Sequence, residues 1–359
     1  MIKNNYRLKI AQIAPISERV PPKKYGGTER VIHALTEELV RMGHDVTLFA
    51  SGDSITSAEL SSIYPRSLRE AKIPDPYKLN ELTLANIGSA YVRQKEFDII
   101  HDHNSIFGLS MAHFATTPTL ITVHGPFTSR NRKLFNIFSK PSLITISKSQ
   151  GDMLRDIKIL NTIYNGLSME HYPFSKSHDG YLLYVGRISM EKGLHHAIEV
   201  AEGTNLPLII AAKLDMAEME YFQSHIEPRL DGRQIRWVGE VGEEERNRLM
   251  SRAICLLHPV TWREPFGLTM IEAMACGAPV IAFDLGSIPE IVSNARTGFV
   301  VHDTEEMIEA VSRIGVIDRQ ECRNYALKNF NAETMAKRYL ETYYQVIESS
   351  KTPHRFSFL

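Results

Sequence analysis

The stretch Trp262-Arg-Glu-Pro-Phe-Gly-Leu-Thr-Met-Ile-Glu-Ala-Met-Ala-Cys-Gly277 constrains this chain more than any other. The apolar run Ala253-Ile-Cys-Leu-Leu257 precedes it and Pro279-Val-Ile-Ala-Phe283 follows it. Both runs read as short buried strands, and the residues between them as a loop feeding a helix. Strand, loop, helix, strand is the repeating unit of a parallel sheet, whose ligands gather at the carboxyl ends of the strands. Glu264 falls in the loop at that end, and Glu272 lies two turns further on. With Gly267 opening the helix, the backbone N–H groups of Leu268, Thr269 and Met270 point into the same space. Unpaired N–H groups backed by a helix dipole attract phosphate. Two carboxylates beside a phosphate trap suit a ligand that carries both hydroxyls and a diphosphate, and a nucleotide sugar is such a ligand.

The first half opens in the same style. Leu8–Ala14 reads as a strand, followed by a proline-rich loop from Pro15 to Tyr25 and then Gly26-Gly27. Thr28 can cap the next helix, whose apolar face runs Val31, Ile32, Leu35, Leu39 and Val40. Gly43 ends it and Asp45–Ala50 is the second strand. This is the start of a Rossmann-like domain, but the glycine fingerprint Gly-x-Gly-x-x-Gly is absent, which counts against an NAD-dependent dehydrogenase. Residues 51–79 read as a long polar connection and Leu82–Gln94 as a helix. Phe97–His101 is a strand running into Asp102-His103-Asn104. His101, Asp102 and His103 raise the idea of a metal site, but alternation along a strand lets only two of them face one way. A wall near the acceptor is the better expectation. Thr119–Val123 is a further strand, with His124 at its carboxyl end. Leu143–Ile146 and residues 157–163 are the last strands of this half, with a helix from Ser147 between them.

A second alternating series begins at Tyr181–Val185, after a linker-like segment from His171 to Gly180. Its first loop, Gly186-Arg-Ile-Ser-Met-Glu-Lys-Gly193, brings Arg187 and Lys192 to a strand's carboxyl end before a helix starting near Leu194. Two cations there can neutralise a diphosphate and stabilise it as a leaving group. Strands follow at Leu206–Ala211 and Ile235–Val238, the latter ending in Gly239-Glu-Val241. Beyond Gly298–Val301 the chain is helical, over Thr304–Ile314, Gln320–Asn329 and Glu333–Ile347, the last capped by Asn331.

These motifs together resemble a known family. Glu-Pro-Phe-Gly-Leu followed by Glu-Ala-Met-Ala-Cys-Gly, with seven residues between the two glutamates, is similar to the signature of the family-4 retaining glycosyltransferases (glycosyl transferases group 1). The Gly-Arg-x-x-x-x-Lys-Gly loop, the Gly26-Gly27-Thr-Glu29 loop and Leu285-Gly-Ser-Ile-Pro-Glu-Ile291 resemble the same family. The resemblance covers most of the chain and implies an α/β protein of the GT-B fold, with two Rossmann-like doubly wound parallel-sheet domains facing an interdomain cleft. The expected division is 1–173 for an acceptor-binding domain and 174–330 for a nucleotide-sugar-binding domain. Residues 331–359 form a last helix returning to the first domain. By resemblance, Glu264 binds the donor sugar's hydroxyls and Glu272 the ribose hydroxyls. His124 contacts the sugar from the other domain. The Glu240-Val241 loop cradles the base, and Gly27 approaches donor phosphate or acceptor. Arg187, Lys192, Gly267, Leu268 and Thr269 form the expected phosphate site.

The implied activity is transfer of a sugar from a nucleoside-diphosphate sugar, UDP-sugar favoured over GDP and ADP, to an acceptor hydroxyl with retention. No residue declares itself as a nucleophile on the sugar face, so front-face transfer is expected. No Asp-x-Asp motif occurs, and with two cations on the diphosphate no divalent metal or other cofactor is expected. A sugar-nucleotide 2-epimerase and a non-catalytic nucleotide-sugar-binding protein remain alternatives.

Composition bounds the setting. At 359 residues the chain suits two domains, and 43% apolar with 23% charged residues is a soluble globular balance. A net charge of -1 argues against nucleic acid as a partner. Residues 1–173 hold 21 Lys and Arg against 16 Asp and Glu, while the rest hold 20 against 26. A basic first half would favour an anionic acceptor or a membrane surface. The segment Arg130–Phe138 with Lys140 mixes cations and apolar residues; a packed helix with a solvated basic face is preferred to a membrane-touching one. The expected acceptor is a sugar, glycolipid or small molecule. Met1–Arg7 lacks the apolar stretch of a signal peptide, and three cysteines make no disulfide framework. A cytoplasmic protein, with a peripheral contact to the inner face of the membrane as an option, is expected.

Overall fold

The computed structural model describes residues 6–24, 26–154 and 156–351. Tyr25 at the end of the proline loop, residues 1–5 of the N-terminal stretch and the Arg130 side chain of the basic segment lie outside the described residues. The chain forms two compact units. One takes in the chain to Leu167, less residues 23–25, and resumes at Ala332; the other holds Ser168–Asn331.

The first unit is built on a seven-stranded sheet of order β3-β2-β1-β4-β5-β6-β7. Its strands are β1 Lys9–Ile13, β2 Asp45–Phe49, β3 Glu59–Ser61, β4 Ile99–Asp102, β5 Thr119–Val123, β6 Ser142–Thr145 and β7 Ile159–Thr162. Every pairing is parallel. Ile10, Ala11, Ile13, Ile99, Ile100, Leu120, Ile121 and Ile144 are wholly buried, the near-continuous apolar reading of strands covered on both faces. The order reverses between β1 and β4, the position where such sheets bind ligands.

The second unit repeats the plan with β8 Leu182–Ile188, β9 Leu208–Leu214, β10 Ile235–Gly239, β11 Leu256–His258, β12 Val280–Phe283 and β13 Gly298–Val301. Their order is β10-β9-β8-β11-β12-β13, all parallel, and the reversal falls between β8 and β11.

Several local expectations need correction. Residues 51–79 are not a plain connection: β3 pairs with β2, short helix Leu68–Ala71 follows, and helix Pro76–Val92 starts six residues before the expected one, with Asp75 capping Tyr77 N–H and Pro76 at its first position. Thr28 does not cap helix Gly27–Arg41; Gly26 holds that position without a side-chain bond. β8 does not stop at Val185. Pairing with β9 continues through Arg187 opposite Lys213, so Arg187 belongs to a strand rather than a loop.

The helix Ala332–Lys351 packs on the first unit, against helix Gly27–Arg41 and β5. Its face toward that unit carries Met335, Ala336, Tyr339, Tyr343, Val346 and Ile347, all buried, at three- and four-residue spacing. In the basic segment, helix Ser129–Ile137 seats Phe135 wholly in the core of the first unit. Arg132 pairs with Asp156, and Lys140 Nζ donates to the Ala115 carbonyl at 2.6 Å, so these cations are taken up by protein groups. Among the described residues no helix is long and apolar enough to cross a membrane.

Candidate active site

In the second unit the candidate residues converge at the carboxyl ends of β8 and β11. After β8 the chain makes a single turn, Met190–Lys192, and Gly193 (φ 68°) releases it into helix Leu194–Thr204. A Cβ at Gly193 would stand 1.9 Å from the Pro259 carbonyl oxygen, so only glycine lets this turn reach the segment leaving β11. Tyr184 Oη donates to the Arg187 and Lys192 carbonyls at 3.0 and 3.2 Å, closing the turn from below. Lys192 Nζ is thereby placed 2.5 Å from Glu264 Oε2. Trp262 Nε1 donates to the same oxygen at 3.0 Å, and the Lys192 ammonium lies 5.0 Å from the Trp262 ring centroid.

The Glu264 loop is pinned from the far side. Ser287 N–H donates to the Glu264 carbonyl at 3.1 Å and Ser287 Oγ to that of Phe266 at 2.9 Å. A Cβ at Gly286 would fall 2.6 Å from the backbone of Glu264, so this turn too needs glycine. The helix Leu268–Ala275 then starts at Gly267 (φ 87°), which has no side-chain cap. Leu268 and Thr269, in the first turn, have no acceptor inside their own helix for their N–H groups. The expectation of a third free N–H fails, because Met270 donates to the Gly267 carbonyl at 3.1 Å. Lys192, Glu264, Gly267, Leu268 and Thr269 therefore meet in one place.

The other candidates have other partners or lie elsewhere along the same edge. Arg187 pairs with Glu191 at 3.2 Å. Glu272 is buried in its helix and its Oε1 accepts from Arg246 at 2.9 Å, across to helix Glu243–Arg252. Glu240 and Val241 follow β10, two strands away from β8 along the same carboxyl edge.

Three contributors in this unit escaped the sequence reading. Arg246 sits in a helix whose charged composition hid its one inward cation. Trp262 was only the first letter of a motif. His258, at the end of β11, is buried with no hydrogen-bond partner on Nε2, and that nitrogen faces the Cα of Gly267: a Cβ there would lie 3.5 Å from it. Burial pushes the His258 imidazole down to about 4 against the pull of Glu264, so the ring is neutral at pH 7.

In the first unit, Gly27 is the first residue of its helix, and its N–H group belongs to the uncapped N-terminal turn. A Cβ at Gly26 would come 2.8 Å from the Pro22 ring, which explains the first glycine of the pair. Glu29, closing the same motif, is buried, and loss of water raises its carboxyl to about 7, with Glu18 adding to the shift. His124 follows β5 with its ring partly exposed; desolvation pushes it down to about 4, so it too is neutral. Its Nε2 lies 2.9 Å from His103 Nδ1.

The His-Asp-His run does not form the expected wall. Asp102 turns the other way, accepting from Tyr91 Oη and from Asn104 N and Nδ2, against Gly108, where a Cβ would meet Asp102 Oδ2 at 1.8 Å. His101 and His103 are buried, and all four of their ring nitrogens are bonded to protein groups.

Two parallel-sheet units of this order, each with its candidate groups at the carboxyl edge of its sheet, define a GT-B glycosyltransferase architecture. Comparison with known proteins agrees along the chain. The model for glycosyl transferases group 1 matches residues 172–329, and that for glycosyltransferase family 4 matches residues 25–171. The chain is similar to glycogen synthase of Mycobacterium tuberculosis, 27% identical over 338 residues that cover 80% of this chain and 81% of that protein. It is likewise similar to phosphatidyl-myo-inositol mannosyltransferase of Propionibacterium freudenreichii, 26% identical over 324 residues and 82% of each chain. Among solved structures, HepE of Anabaena in complex with UDP and glucose has a TM-score of 0.72 at 19% identity, over 94% of this chain and 100% of that one. This protein belongs to the family-4 glycosyltransferases and is a transferase enzyme.

Proposed function

We propose that the protein moves a sugar from a nucleoside-diphosphate sugar, a UDP-sugar in the favoured reading, to an acceptor hydroxyl with retention at the anomeric carbon and without a divalent metal. The observation that carries this is the Lys192–Glu264 pair at the open N-terminus of helix Leu268–Ala275. A cation and an uncapped helix end suit the diphosphate, and the adjoining carboxylate suits the sugar hydroxyls. As the glycosidic bond breaks, negative charge grows on the leaving diphosphate, and Lys192, Arg187 and the N–H groups of Leu268 and Thr269 are its counter-charges. Glu264, held in place by Lys192 and Trp262, accepts from the sugar's hydroxyls while positive charge develops at the anomeric carbon. His124, neutral at pH 7, can accept from a hydroxyl without adding a charge. No candidate residue declares itself as a nucleophile on the sugar face, so in this reading the donor's own phosphate oxygen takes the acceptor's proton as the new bond forms on the same face. Glu272, paired with Arg246, serves the ribose hydroxyls. UDP is favoured because the HepE structure of the same fold holds UDP and glucose.

A thermal-shift panel of UDP-, GDP- and ADP-sugars tests the donor site without knowledge of the acceptor, since a ligand of the folded state raises its melting point. A shift confined to UDP-sugars is expected; no shift with any nucleotide sugar would remove the donor assignment. Once an acceptor is found, proton NMR of the first product formed reads the anomeric configuration, and inversion would end the front-face reading. Activity should survive EDTA. Complete loss in EDTA, restored by magnesium, would refute metal independence.

A further inference from the structure

Strand alternation and register place five polar residues on one face of the first sheet. Gln12 of β1 is paired with His101 of β4, and His101 with Leu120 of β5; His103, Thr122 and His124 follow at steps of two. Gln12, His101 and Thr122 are wholly buried. Helix Ala332–Lys351 lowers two buried phenols, Tyr339 and Tyr343, onto this face.

The result is one unbroken chain of hydrogen bonds. Gln12 Nε2 donates to Tyr343 Oη at 3.0 Å. Tyr343 Oη is 2.7 Å from His101 Nδ1, His101 Nε2 is 2.7 Å from Thr122 Oγ1, and Thr122 Oγ1 is 3.0 Å from Tyr339 Oη. On the other arm, Gln12 Oε1 is 2.7 Å from His103 Nε2, and His103 Nδ1 is 2.9 Å from His124 Nε2.

Burial holds all three imidazoles neutral, so each ring carries one N–H and one lone pair. The proton positions then follow in order. An amide oxygen only accepts, so His103 carries its proton on Nε2. Its Nδ1 therefore accepts, and His124 must donate from Nε2. That leaves Nδ1 of His124 as a bare lone pair. An amide nitrogen only donates, so Tyr343 spends its own proton on His101 Nδ1. Turning the amide over would reverse every bond in the chain, and reversing one member alone would set two protons or two lone pairs against each other in a buried place.

We propose that Gln12, held by Tyr343 of the last helix, is a positioning residue that fixes His124 as the Nε2–H tautomer and presents its Nδ1 as the hydrogen-bond acceptor for a substrate hydroxyl. This rests on the reading of His124 as a site residue. The last helix thereby sets a proton on the His124 ring by way of Tyr343, Gln12 and His103.

The test is a long-range proton–nitrogen NMR spectrum of the whole protein labelled with 15N-histidine at pH 7.5, His124 being assigned by its loss in His124→Asn. The Nε2–H pattern is expected for His124; the Nδ1–H pattern would overturn the relay. Gln12→Glu keeps an acceptor toward His103 and should keep the His124 pattern. Gln12→Leu should give a mixture of tautomers and lower kcat roughly tenfold, the worth of one misdirected hydrogen bond, with the thermal shift by the donor unchanged. An unaltered tautomer and kcat in folded Gln12→Leu would refute the proposal. If that variant does not fold, Tyr343→Phe, which removes the amide's acceptor and leaves an apolar ring, must show the mixture instead. Full activity in His124→Asn would remove the reading of His124 while leaving the tautomer result standing, so the two failures are told apart.

Discussion

The buried His258 ties the stability of the second unit to pH. Its ring is held neutral, with its affinity for a proton lowered to about 4, whereas in the unfolded chain it titrates near 6.5. Between these values the unfolded state binds the extra proton, so stability is complete above about pH 6.5 and is lost as pH falls toward 4. Over the span from pH 7.5 to 5 the linkage amounts to about 2 kcal/mol for this one ring. Both tryptophans of the chain, Trp237 and Trp262, belong to the second unit, so tryptophan fluorescence in urea follows that unit alone. Other groups titrate too, so the informative quantity is the difference between wild type and His258→Asn. The wild type should lose about 2 kcal/mol more than the variant across that span. Equal losses would mean that His258 is hydrated or protonated in the folded state, and the account of a dry, neutral ring beneath Gly267 would fall.

Other outcomes follow from the same geometry. Glu264→Gln should lower kcat on the order of a hundredfold while the melting point stays close to wild type; a variant that unfolds would show that the carboxylate serves the fold instead. Gly193→Ala must push a methyl into the Pro259 carbonyl and hold a positive φ, costing about 2 kcal/mol or more by urea denaturation. Arg246→Met leaves Glu272 buried without its cation, a loss on the order of 3 kcal/mol; a cost below about 1 kcal/mol would show that Glu272 is held mainly by other groups.

Much of the second unit was legible because its chemistry sits on glycine-marked turns. Gly193 and Gly286 each occupy a place where a side chain would collide with backbone, Gly267 holds a φ of 87°, and their spacing betrays the turns that aim Lys192 and Glu264. Arg187 was misplaced into a loop because no local signal says how far β9 goes on pairing with β8. The first unit was harder to read. Its strands announced themselves by apolar runs, but the histidines looked like surface chemistry, since their burial depends on a helix more than 200 residues further along the chain. Sequence spacing carries no trace of a partner at that distance. His258 hid for a similar reason: one polar residue ending an apolar strand looks like an ordinary loop beginning.

The return of the last helix also has a consequence for biosynthesis. Residues 168–331 form a unit of their own, inserted between the body of the first unit and the helix that completes it. At translation rates of about 5–20 residues per second, roughly 10–40 s separate emergence of Leu167 from that of Lys351. Throughout that interval the nascent first unit shows an open face, with Gln12, His101 and Thr122 lacking their phenols, while the insert is free to fold. The first unit thus begins folding before the second and finishes after it. A ribosome that stalls within the last helix releases a chain whose second unit is whole and whose first is not.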